Sequence, residues 1–485
     1  GTKKYPKENE YNSYLSAHGG YSNAYTDLED TCYYFEVTYD ALEGALDRFS
    51  QFFIDPLFAA DCTDREVSAV DSEHKKNIQS DMWRQYQIEK QLSNPEHPFS
   101  LFATGNYDTL SGAAKELGVD LRDRLLEFYD KYYSANIMKL VVVGRDSLDQ
   151  LTEWTVSKFS PIMSKGMTKP AFKAHPLTEK EVGKLIRIQS IREQRSLDIT
   201  FSLPDIKPFY KSKPGRYLGS LIGHEGKGSI LSYLKKRGWA TSIIAGRSTT
   251  SAEGFDMFKI TASLTDTGMQ KYQEVIRIIF AFIQLLLNKG PQKWFQDELR
   301  RVSEIEYQFM EKNDSVNMAS TLASTMQNKY LPPDCVLPDC LLLTEFNEEL
   351  LEWIQGFLNP QNFRILLAAR DLDVEFDQEE KYYGVKYRVD PIPAELMREL
   401  VGELECDELY LPEPNCFIPD NLKVKSKVAA AEPADAPVLL KLTSGLELWF
   451  KQDDRFLLPR GNIQVTIETP RAYESALNSI FSQLF

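Results

Sequence analysis

One order of elements occurs twice along this chain, and it restricts the fold more than any single motif does. A short helix around Glu8–Ala17 and a turn at Gly19 and Gly20 lead into two strand-like runs, Tyr21–Thr26 and Cys32–Thr38. The second run alternates Tyr33, Phe35 and Val37 on one face. Asp40 and Glu43 have capping-box spacing before an expected helix Ala41–Phe53. Thr63 and Glu66 repeat that spacing before a long polar helix to about Leu92. A turn at Asn94-Pro95, a helix near Leu121–Tyr132, a strand Ile137–Val143 and a helix around Leu148–Phe159 finish the unit.

Downstream, strands Leu185–Ile191 and Ser196–Leu203 precede a helix Gly215–Ile222. A Gly-rich turn at Gly226 and Gly228 opens a helix to Arg237, and strands Thr241–Arg247 and Phe255–Leu264 follow. Thr267 and Gln270 cap a helix to Leu287, Gly290-Pro291 starts another through about Lys312, and Phe363–Ala369 is a further strand. The expected fold class is therefore α+β: tandem homologous domains, each an antiparallel-rich sheet covered by helices on one face, with the start of a third such domain. The first domain spans 1–168 and the second 169–424. Residues 425–437 have linker composition, and 438–485, with strands Gly445–Lys451 and Asn462–Thr469, begin a third domain left incomplete.

The chain is long enough for a core in each domain, with 485 residues of which 42% are hydrophobic. A net charge of −15 argues against a nucleic-acid partner, which needs a basic footprint. The six cysteines have no CxxC spacing, so no zinc ribbon, redox motif or disulfide framework is indicated, and a reducing compartment is expected. The most apolar run, Val275–Leu287, is too short to span a bilayer and contains Arg277 and Gln284. The chain opens at Gly1 without Met or a signal pattern and stops within an amphipathic run, so both ends read as cuts through a longer protein.

On the long polar helix, Glu66 and Glu73 are seven residues apart and share a face with Ala69, Val70 and Asn77. Desolvation opposes a bare carboxylate on a partly apolar stripe, so a metal, a cation or strong donors are expected nearby. The competing reading is a solvated acidic face, with Glu66 only a capping residue. Other signatures fail. Glu73-His74 does not complete His-x-x-Glu-His, because position 70 is Val70. His224-Glu225 does not open His-Glu-x-x-His, because position 228 is Gly228. Gly223–Ser229 lacks the spacing of a phosphate loop, and no nucleophile elbow occurs.

Gly1–Tyr11, Ser22–Ala24, Gly44–Phe49 and Asp64–Asn77 resemble the insulin-degrading enzyme group of the pitrilysin peptidases, as do Pro214-Gly215, Leu221–Gly226 and Trp449–Asp454. The resemblance is colinear and covers essentially the whole chain. It implies four related α+β domains, in two halves closing around a chamber that takes short peptides. It also implies a zinc-dependent endopeptidase whose His-x-x-Glu-His segment, carrying two ligands and the general base, lies just before the segment matching Gly1. The first domain then lacks its amino-terminal strand and zinc-motif helix.

By the same resemblance Glu73 is the third Zn2+ ligand and Glu66 a supporting acid. Zinc is not expected to be held tightly, nor peptide cleaved, by this chain alone. Asn23 and Ala24 match an edge strand that pairs with extended peptide, or they form an ordinary edge. Trp83 and Tyr86 match the chamber wall, or are plain core. Ser220, Gly223 and Gly226, with Ile243, Ala245, Gly246 and Arg247, match an exosite for a substrate's amino end, or a helix–strand packing corner. Ala245 stands where the family has Gly. Arg247 stands where the family has an uncharged residue, which would bring positive charge towards the substrate's ammonium. The partners implied are peptide substrates, the carboxy-terminal half of the same protein and a homodimer, with no nucleic acid and no membrane span. The compartment implied is the cytoplasm, with mitochondrial or peroxisomal pools allowed. The alternative function is a non-catalytic paralogue serving as a peptide-binding or partner subunit.

Overall fold

The computed structural model describes residues 1–312, 314–339, 341–424, 435–452 and 456–484. Residues 1–414 make one compact unit and 415–485 a second. Most of the expected linker, and the end of the Trp449–Asp454 match, lie outside the described residues.

The chain begins with α1 (Glu10–Ala17) and an antiparallel hairpin of β1 (Tyr21–Thr26) and β2 (Thr31–Glu36), with Asn23 opposite Tyr34. α2 (Leu42–Ile54) turns Leu42 and Leu46 onto Leu151, Val142 and Phe159, and Phe49 onto Phe35. No side chain caps α2. The chain enters it from a 3-10 turn at Tyr39–Ala41, so the Asp40–Glu43 box is not formed. The expected strand Ile137–Val143 is also absent. Ala135–Ile137 is a 3-10 turn, and no strand pairs with the residues after it. A ladder needs a partner, and an apolar run alone does not supply one. Before Lys184 the only sheet among the described residues is thus the β1–β2 hairpin.

The long polar helix is two helices, α3 (Ala60–Asn77) and α4 (Asp81–Gln91). α3 begins three residues before Thr63, whose Oγ1 bonds back to the Ala59 carbonyl at 3.4 Å, so Thr63 and Glu66 lie inside the helix and cap nothing. The break at Ile78–Ser80 has a distant cause. The Asp81 carboxylate accepts the backbone N–H groups of Ile191 (2.8 Å) and Arg192 (2.9 Å) and ties the start of α4 to the second domain.

Residues 184–391 hold a seven-stranded sheet. Its strands are β3 (Lys184–Gln189), β4 (Ser196–Leu203), β5 (Ala240–Arg247), β6 (Asp256–Leu264), β7 (Phe363–Ala369), β8 (Gln378–Glu379) and β9 (Lys386–Pro391), in the order β5-β6-β4-β7-β3-β9-β8. Only β3–β7 is parallel. The period of two sorts the side chains. Phe363, Ile365 and Leu367 join Phe201 against Phe280 and Phe282 of the helix Tyr272–Lys289, while Leu366 and Ala368 join Ile186, Ile188 and Val385 on the opposite face. That second face is covered by Ile88 of α4. Thr265, not Thr267, caps the helical turn ahead of Tyr272–Lys289, by accepting the Gly268 N–H.

Charged groups fix α4 to this sheet. Glu89 pairs with Lys259, Arg364 donates to the Glu89 and Leu92 carbonyls, and Arg84 donates to the Tyr383 carbonyl at 2.7 Å. In the second unit β10 (Val438–Thr443) pairs with β11 (Leu446–Phe450), and a helix spans Ala476–Leu484. No strand forms over Asn462–Thr469. Among the described residues no helix is long and apolar enough to cross a membrane.

Candidate metal and peptide-binding site

α3 turns Val67 and His74 inward, at 7% and 4% exposure. His74 Nε2 lies 3.1 Å from the Tyr382 carbonyl, and its ring meets Tyr383 (4.9 Å) and Phe102 (5.7 Å) edge-on. That contact sets the roll of the helix. Glu66 and Glu73 each precede an inward residue by one position, so both face water. Neither carboxylate has a hydrogen-bond or ion-pair partner among the described residues, although its neighbour Asp71 is taken by Lys75 and the Tyr107 N–H.

Zinc needs three or four donors around one point. Glu73 brings one, and among the described residues it belongs to no group of three donors. The one group of three donors close together there is Glu8, Asp61 and Cys62. Arg65 already spans all three, at 2.6 Å from Glu8, 3.3 Å from Asp61 and 3.2 Å from the Cys62 sulfur, so that cluster is an ion-pair group. The residues present therefore do not make a zinc site by themselves.

Asn23 and Ala24 sit on β1, which pairs with β2 along one edge only. Both are exposed, and Asn23 Oδ1 accepts the Ala24 N–H at 2.8 Å, so an incoming strand competes with a side chain for that donor. A second edge is β5, at the end of the large sheet. The helix Pro214–Ile222 packs on it so closely that a Cβ on Gly219 would stand 2.7 Å from the Ala245 carbonyl oxygen. Ser220, Gly223, Gly226, Ala245 and Gly246 are half-buried along this seam. Ile243 is 4% exposed and belongs to the core, so its side chain offers nothing to a ligand.

Arg247 also differs from expectation. Its guanidinium is bonded to the fully buried Asp256, whose other oxygen accepts the Ile206 N–H at 2.8 Å. Burial raises the Asp256 carboxyl against the pull of Arg247. The positive charge expected to oppose a substrate's ammonium is thus matched by a carboxylate nine residues on. The sequence order hid this partner because it faces Arg247 across the β5–β6 hairpin.

Trp83 and Tyr86 lie half-buried where α4 meets the sheet. Trp83 packs against the Ile88 cluster and meets Tyr86 edge-on at 6.0 Å. Tyr86 touches Phe99, and burial pushes its phenol up to about 12, with Asp27 and Glu89 adding to the shift. Beside them opens a cleft of 1530 Å³ that sequence reasoning missed. It is bounded by β2, residues 138–145, the helix Ser315–Thr325 and the segment 247–255, with Lys90 and His97 in its wall.

Three family descriptions match in order: "Insulinase (Peptidase family M16)" over residues 1–96, "Peptidase M16 inactive domain" over 120–302, and "Middle or third domain of peptidase_M16" over 307–485. The chain belongs to peptidase family M16. Within that family it is insulysin-like. It is 43% identical over 486 residues to the A-factor-processing enzyme of Saccharomyces cerevisiae, covering 100% of this chain and 47% of that protein. It is 42% identical over 485 residues to the insulin-degrading enzyme of Homo sapiens, covering the same shares of each. The fold matches the crystal structure of pitrilysin with a TM-score of 0.85 and 28% identity, over 100% of this chain and 51% of that one. This M16 chain spans about half the length of the curated relatives it matches.

Proposed function

We propose that this chain is the amino-terminal half of a zinc-dependent endopeptidase that cleaves short peptides inside a chamber. On this reading Glu73 is one zinc ligand and Glu66 supports it. The remaining ligands and the general base come from a His-x-x-Glu-His segment ahead of Gly1. The observation that carries the reading is the bare Glu73 carboxylate, held outward by the buried Val67 and His74 on a helix that matches the family's ligand helix. Asn23 and Ala24 offer one backbone edge to a peptide, and the seam of Ser220, Gly223, Gly226 and Ala245–Arg247 offers a second for its amino end. On the same reading Trp83 and Tyr86 belong to the chamber wall. We place the domain boundaries at 168/169 and 424/425, and the protein in the cytoplasm, consistent with five unpaired cysteines among the described residues.

In the full-length protein, Glu73→Gln is expected to lower zinc content, read by elemental analysis, together with cleavage of a fluorogenic peptide. The 485-residue chain alone is expected to hold less than one zinc and to cleave nothing. One tightly bound zinc per such chain would overturn the reading. That Glu73 belongs to no three-donor group among the described residues keeps a second reading in view, a non-catalytic peptide-binding subunit. It predicts that Glu73→Gln leaves the zinc content of the full-length protein unchanged.

A further inference from the structure

The last turn of α4 carries a lysine with no polar partner among the described residues. Lys90 is 2% exposed, and its ammonium lies 4.5 Å from the centroid of the Phe99 ring and 5.3 Å from that of Tyr86. Among the described residues no carboxylate, hydroxyl or carbonyl is bonded to it, and its neighbour Glu89 is committed to Lys259. Burial alone pulls Lys90 down to about 8. Rings attract a cation, but they do not replace a counter-ion for a group taken out of water.

A second donor lines the same cleft as Lys90. His97 is 6% exposed, and its Nδ1 accepts the Phe99 N–H at 3.0 Å, which leaves the proton of a neutral ring on Nε2. Nε2 meets no acceptor among the described residues. Burial lowers His97, with His175 and then Lys90 adding to it, so the ring stays a neutral donor and feels the ammonium. Both residues line the 1530 Å³ cleft, where Leu28 and Phe172 flank them. Two donors, one of them cationic and neither with an acceptor among the described residues, thus open onto the same cleft, whose wall is apolar at Leu28, Phe99, Phe172 and Ala252.

We propose that Lys90 and His97 form a carboxylate subsite, with the ammonium and the Nε2–H each taking one oxygen and the ligand's apolar chain lying along Leu28, Phe99, Phe172 and Ala252. The donor set selects the headgroup. A phosphate or sulfate wants more donors and more charge than one ammonium and one imidazole supply, whereas a planar monoanion is satisfied by two. The apolar wall selects the rest of the molecule. Two sources share this chemistry: a free fatty carboxylate, and the carboxy terminus of a hydrophobic peptide. The site uses no group of the zinc reading and stands whether or not that reading holds.

Titration calorimetry on the 485-residue chain tests it, with octanoate and octanol as probes, then a hydrophobic pentapeptide as free acid and as amide. Octanoate is expected to bind one per chain and octanol at least about tenfold more weakly, the change that losing a charge-assisted hydrogen bond gives. Lys90→Met is expected to bring octanoate down to the octanol level. Free-acid peptide binding where the amide fails assigns the peptide terminus as the source, and octanoate binding with neither peptide assigns a free fatty acid. Equal binding of octanoate and octanol to the native chain overturns the proposal, and needs no variant to fold. No binding of any carboxylate, or octanoate binding that survives Lys90→Met, overturns it as well.

Discussion

Replacing Lys90 with methionine keeps most of the side chain's length and its apolar stem while removing a buried charge. Burial holds the folded-state value at about 8 against 10.5 for the free side chain. Near pH 7 the group is protonated in both states, so the folded chain carries the full penalty of that shift, about 3 kcal/mol. The attraction of the ammonium to Phe99 and Tyr86 is lost with it and offsets ~1–2 kcal/mol. The variant is therefore expected to be more stable than the native chain near pH 7, by about 1–2 kcal/mol. The sign of the pH dependence follows from the lowered value. Between about 8 and 10.5 the unfolded chain binds a proton that the folded chain has released, so native stability rises with pH and the gap closes towards about pH 10. Urea unfolding of both proteins near pH 7 and about pH 10, compared by midpoint and slope, measures this. A variant less stable near pH 7, or a gap that does not change with pH, refutes the reasoning. Octanoate supplies a further check, because it should stabilise only the native chain.

Three other perturbations test packing, two of them where the first 168 residues meet the large sheet and one within that sheet's helix cover. Glu89→Gln leaves Lys259 buried with Asp198, at 3.9 Å, as its remaining carboxylate. Such a broken pair costs about 3–5 kcal/mol, and hydrogen exchange of the α4 amides should rise with it; protection unchanged from native refutes the coupling. His74→Ala removes the contact with the Tyr382 carbonyl and empties the space against Phe102 and Tyr383. A loss of about 2–4 kcal/mol is expected by thermal unfolding, and in the full-length protein the zinc content should fall as the roll of α3 loosens; a native melting temperature would show the contact to be idle. Gly219→Ala sets a methyl 2.7 Å from the Ala245 carbonyl oxygen, so the helix and β5 must part. That predicts about 1–3 kcal/mol of destabilisation, checked by urea midpoint, and no shift would mean the seam has slack.

Elements whose cause is local were legible in the sequence. Ser196–Leu203 alternates Leu197, Ile199, Phe201 and Leu203 with smaller or polar residues, and Phe363–Ala369 is apolar apart from Arg364; both form strands with the expected ends. The helices Leu121–Tyr132 and Leu148–Phe159 start on Asp120 and Ser147, whose side chains cap them. What failed depends on residues far along the chain. Met138–Val143 has strand composition but no neighbour to pair with. The break between α3 and α4 is tied to Ile191 and Arg192, more than a hundred residues away. Lys90 reads as one more charge on a polar helix until the second domain's sheet and Phe99 enclose it. Glu73 is the opposite case, exposed and unpartnered in the fold. Its spacing from Glu66 raised a metal as one option, and only the family resemblance separates it from the ordinary acidic positions around it.

The α4 roof over the second sheet bears on how the protein is made. α4 leaves the ribosome before any strand of that sheet, so the cover for Ile186, Ile188, Leu366 and Ala368 is already waiting when the strands emerge. A gene fragment starting at residue 169 reverses that advantage. It would leave these four side chains with only Tyr383, Val385 and Tyr387 of their cluster against them, and should be recovered from cells mainly as aggregate unless residues 81–91 are supplied with it.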